Sequence, residues 1–90
     1  MGHACEFETS MVMALRPELV RREQIKDDPL ADEPVLRGLY VAEDMKQRTD
    51  HGAVGFPERA SAEKGKKIIA AAVNRVSEVV EALLRRPLPR

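Results

Sequence analysis

Groups able to do chemistry are concentrated in His3-Ala4-Cys5-Glu6-Phe7-Glu8-Thr9-Ser10, which holds an imidazole, a thiol and two carboxylates just before an apolar segment. A histidine and a glutamate at a helix start can ligate zinc or manganese. A stable site needs at least three protein ligands, and the remainder of the chain offers no others at a recognisable spacing. Asp50 and His51 are the other adjacent pair, and they lie in a glycine-rich loop. The plainer reading of Glu6 and Glu8 is that two acids favour the positive end of a helix dipole. Met1-Gly2-His3 also contains the amine, amide nitrogens and imidazole of an amino-terminal copper or nickel site, an arrangement that chance at a chain start readily produces.

The elements that must position these groups are legible from spacing. Phe7, Met11 and Leu15 recur every four residues, which predicts a short helix through Met11–Leu15. Arg16-Pro17 should end it, because the residue before a proline is pushed out of the α region, and Pro17 can open a further turn through Val20. Residues 21–34 are mostly charged or helix-breaking and predict an exposed loop, with a turn at Asp27-Asp28-Pro29. Leu36 to Val41 could be a strand or the start of a helix. Thr49 to Pro57 reads as a structured loop. Ser61 can then cap a long helix from Ala62 to Arg86, with Glu63 in its first turn and Pro87 as its stop. Ile69, Ala72, Val73, Val76, Val80, Leu83 and Leu84 form one apolar stripe along it.

Composition bounds what such a chain can do. With 90 residues it holds one domain at most, and a chain that short has little surface to bury. Fifteen basic and fifteen acidic residues cancel, so no electrostatic case exists for nucleic acid or an anionic membrane. The apolar run Ile68 to Val73 is far below the ~20 residues of a membrane span. A single cysteine, Cys5, cannot form an internal disulfide and fits a reducing, cytoplasmic setting. Lys64, Lys66 and Lys67 read as a solvated face.

The cluster at residues 3–10 resembles the His-Ala-Gly-x-x-Glu-Thr-Ser motif of the creatininase family, and Leu15-Arg16-Pro17-Glu18-Leu19-Val20 is similar to the segment that follows it there. Gly52-Ala53-Val54-Gly55-Phe56-Pro57, followed by Ala60-Ser61-Ala62-Glu63-Lys64-Gly65, resembles a second family loop and the helix after it. The resemblance implies an α/β fold, a three-layer α/β sandwich. Residues 1–90 would be a partial, C-terminal portion of it, mainly helical with a long final helix. It implies hydrolysis of non-peptide C–N bonds in small cyclic or linear amides, with divalent zinc or manganese as cofactor. Glu8 falls on a metal-ligand position and His3 on a proton-handling position of that family. A divalent cation would supply an activated water, and an imidazole with a pKa near 6.5 can pass a proton to a leaving nitrogen.

Two departures bear on this expectation. Cys5 replaces a glycine, where a side chain could strain a backbone that needs positive φ or add a thiol to the site. Phe56 stands where many relatives have aspartate, which removes a charge or a capping bond. The ligand count predicts little or no hydrolase activity for the 90 residues alone, so that a site would need an N-terminal partner segment. A different class of function is also open. The stripe on the long helix must be covered, by the Met11–Leu15 helix or, through homo-oligomer formation, by another chain. The chain would then act as a small helical self-association or interaction module.

Overall fold

The computed structural model describes residues 2–29, 38 and 42–89. Three α-helices are present: α1 (Glu6–Leu15), α2 (Met45–Arg48) and α3 (Ala62–Arg85), with 3₁₀ turns at Pro17–Leu19, Arg22–Gln24 and Pro57–Arg59. Among the described residues the only extended pairing is two isolated antiparallel bridges, His3 with Val54 and Asp28 with Gly55. These residues are therefore mainly helical. Leu36 to Val41 falls outside the described residues except for Gly38, and so does Met1 of the amino-terminal metal arrangement.

Helix α1 is longer than its apolar spacing predicted, because its start is set by polar groups. Cys5 holds an extended backbone, and its N–H donates to Glu8 Oε2 at 3.1 Å. This is the return half of a capping box. Arg16 and Pro17 end the helix as expected, with the Arg16 N–H on Val12 O and a 3₁₀ turn beginning at Pro17. Its buried face differs from the predicted one. Ser10 and Met13 are buried, whereas Phe7 and Leu15 are exposed.

Helix α3 begins and ends where capping and proline chemistry predict, to within one residue at its C-terminus. The Ser61 Oγ accepts from Lys64 N at 3.2 Å. In turn, Ser61 N donates to Ser10 Oγ at 3.1 Å, so one α1 side chain fixes the first turn of α3. The helices cross at Gly65, where an added Cβ would lie 1.8 Å from Ser10 O and 2.9 Å from Ala14 Cβ. Only a glycine permits so close an approach. The contact covers just the start of α3. From residue 70 onward every described residue is exposed.

The core is accordingly small: Cys5, Met13, Val54 and Pro57, with Ser10, Thr49 and Gly65. The total accessible surface is 7981 Å², against about 5,300 Å² for a compact monomer of this mass. The radius of gyration is 17.9 Å, against about 12 Å for a compact chain of this length. Most Val and Leu among the described residues are solvent-facing.

The loops are more ordered than their charge suggested. Asp28 and Gly55 exchange both backbone hydrogen bonds, at 3.0 and 2.9 Å. Beside them Glu58 N donates to Asp27 Oδ1 at 2.9 Å, and Asp27 N donates to Glu58 Oε1 at 3.3 Å. The Asp27-Asp28 segment predicted as exposed loop is thus pinned to the start of the 57–59 turn.

Candidate functional site

The His3–Ser10 motif is a tight corner leading into a helix. His3 pairs with Val54 through N–H···O bonds of 2.9 and 2.7 Å. The chain then reverses at Ala4, which has φ 48°, and Cys5 starts α1. The strain anticipated at Cys5 is therefore carried one residue earlier, since Cys5 has φ −94°. The amide of His3, which an amino-terminal copper site would need for the metal, is already committed to Val54.

Glu8 is tied into this corner. The Cys5 thiol donates to Glu8 Oε2 at 3.3 Å, alongside the Cys5 N–H on the same oxygen. Burial pushes the Glu8 carboxyl upward. The Glu8 backbone N–H, the Cys5 thiol, the Cys5 N–H and the charge of His3 together outweigh it, and hold the pKa below its usual value. Cys5 itself is buried, so it serves as a packed cap residue whose thiol points at a carboxylate. Both bonds from Cys5 end on Oε2, which leaves Oε1 as the oxygen not engaged by Cys5.

A cavity of about 420 Å³ opens beside this carboxylate, walled by Glu8, Thr9, Arg21, Lys26, His51 and Gly52 among others. His3 is exposed and is not part of that wall. The second histidine is. His51 is adjacent to Asp50 in sequence, and its Nε2 lies 3.8 Å from Asp28 Oδ2, a residue 23 positions away. The folded chain thus brings Glu8 and His51 to one hollow and leaves His3 out of its wall. Nothing local in the sequence signals the meeting of Asp28 and His51, because it depends on the Asp28–Gly55 bridge.

Other motif residues serve packing. The Thr9 hydroxyl donates to Ala4 O at 3.4 Å, bracing the strained corner. Gly55 has φ 123°, and a Cβ there would meet the Cys5 Cβ at 2.8 Å. Phe56 makes no side-chain cap to the 57–59 turn. Arg59 stacks over its ring at 4.2 Å instead. Lys64 binds Glu6 Oε1 at 2.6 Å and Arg59 O at 2.7 Å, which links both helices to this loop.

The donors fall short of a metal centre. Among the described residues no three His, Cys, Asp or Glu side chains are grouped to hold an ion. One carboxylate and one imidazole lining the same cavity are only part of a ligand set, and no catalytic step through a cation follows from them. Among the described residues no helix is long and apolar enough to cross a membrane.

No curated protein and no solved structure matches the chain. A family model does: the creatininase model, described as creatinine amidohydrolase, matches residues 1–80. That span includes the Glu8 corner, the glycine loop and all but the last turns of α3, so the chain belongs to the creatininase family of amidohydrolases.

Proposed function

We propose that this chain supplies one wall of a metal-dependent amidohydrolase site acting on non-peptide C–N bonds in small cyclic or linear amides. The observation that supports the reading is that the family match spans a cavity beside Glu8, the carboxylate for which the motif resemblance implies a metal-ligand role. Residues 1–90 are read as the C-terminal part of the family's three-layer α/β sandwich. Glu8 offers Oε1 to a zinc or manganese ion while Oε2 stays bonded to Cys5. His3, exposed at the start of the corner, exchanges protons with the substrate in this reading. The remaining ligands come from another polypeptide segment, because among the described residues too few donors gather to hold a cation. The single cysteine suits a cytoplasmic location.

The test is metal analysis and amide turnover on the purified 90-residue chain. Neither stoichiometric zinc or manganese nor hydrolysis is expected. Turnover of an amide with two equivalents of metal held by this chain alone would overturn the shared-site reading. Restored turnover in the presence of a ligand-bearing creatininase segment, lost again in Glu8→Gln, would support it.

A further inference from the structure

We draw no further inference here: the strongest candidate, the exposed apolar face of α3 between Val73 and Leu84, carries nothing because nothing in the structure shows what covers it.

Discussion

The first two turns of α3 and its last four belong to one helix but live in different environments. The first turns are fixed by Ser10 on Ser61 N, by the Gly65 crossing and by the Lys64–Glu6 pair. The last turns are solvent-exposed among the described residues and carry larger apolar side chains than the packed end. Close packing in this chain is thus achieved by small and polar residues, while the bulky aliphatic ones face outward. Hydrophobicity alone did not select the buried face. Backbone approach did, because only Ser10, Ala14 and Gly65 let the two helices come within contact.

This contrast is sharpest at Gly65. Gly65→Leu should separate α1 from α3, because its Cβ alone overlaps Ser10 O, and should cost about 3 kcal/mol or more. Denaturant unfolding would show it, and a loss below about 1 kcal/mol would mean that the crossing is not a fixed contact. Gly55→Ala comes next, at about 1–3 kcal/mol, since it combines φ 123° with a contact on Cys5. Ser10→Ala leaves the Ser61 N–H without its acceptor and should lower stability by about 1–3 kcal/mol. At the free end, Val76→Ala should change the unfolding of the monomer by less than about 0.5 kcal/mol. A large loss there would break the comparison.

A pH profile probes the packed end separately. The Glu8 pKa is lowered in the folded chain from its usual value of 4.5. Its ionised form therefore stabilises the fold above that value, and the contribution is lost as pH falls from about 4.5 through the lower folded-state pKa. Glu8→Gln should flatten this acid limb of the stability curve measured by circular dichroism. An unchanged limb would show that the Cys5–Glu8 bonds contribute nothing to the fold.

Several parts of this architecture were legible in the residues themselves. Ser61, Pro17 and Pro87 mark helix boundaries through effects that act within one turn, and the motif at residues 3–10 identified the family that the whole-chain match shows. Short α2 was missed although Asp44 and Gln47 are spaced as a capping box, with Asp44 N on Gln47 Oε1 at 2.8 Å. The Phe7–Met11–Leu15 spacing found the helix but not its buried side, because periodicity reports amphipathicity and not which neighbour arrives. The approach of Asp28 to His51 had no signal in the sequence, since that neighbour is brought in by a bridge between distant segments.

By itself the sequence determined where α1 stops and where α3 starts and stops, which family the residues resemble, and which side chains are chemically competent. Those properties rest on local backbone sterics, capping and covalent identity. Tertiary structure alone decided that Glu8 shares its cavity with His51 and not His3, that Asp28 approaches that imidazole, and that half of α3 is left bare. Each of these outcomes joins residues tens of positions apart, as in the 51-residue separation of Ser10 and Ser61. Such separations are closed by packing and backbone pairing, which no local spacing encodes.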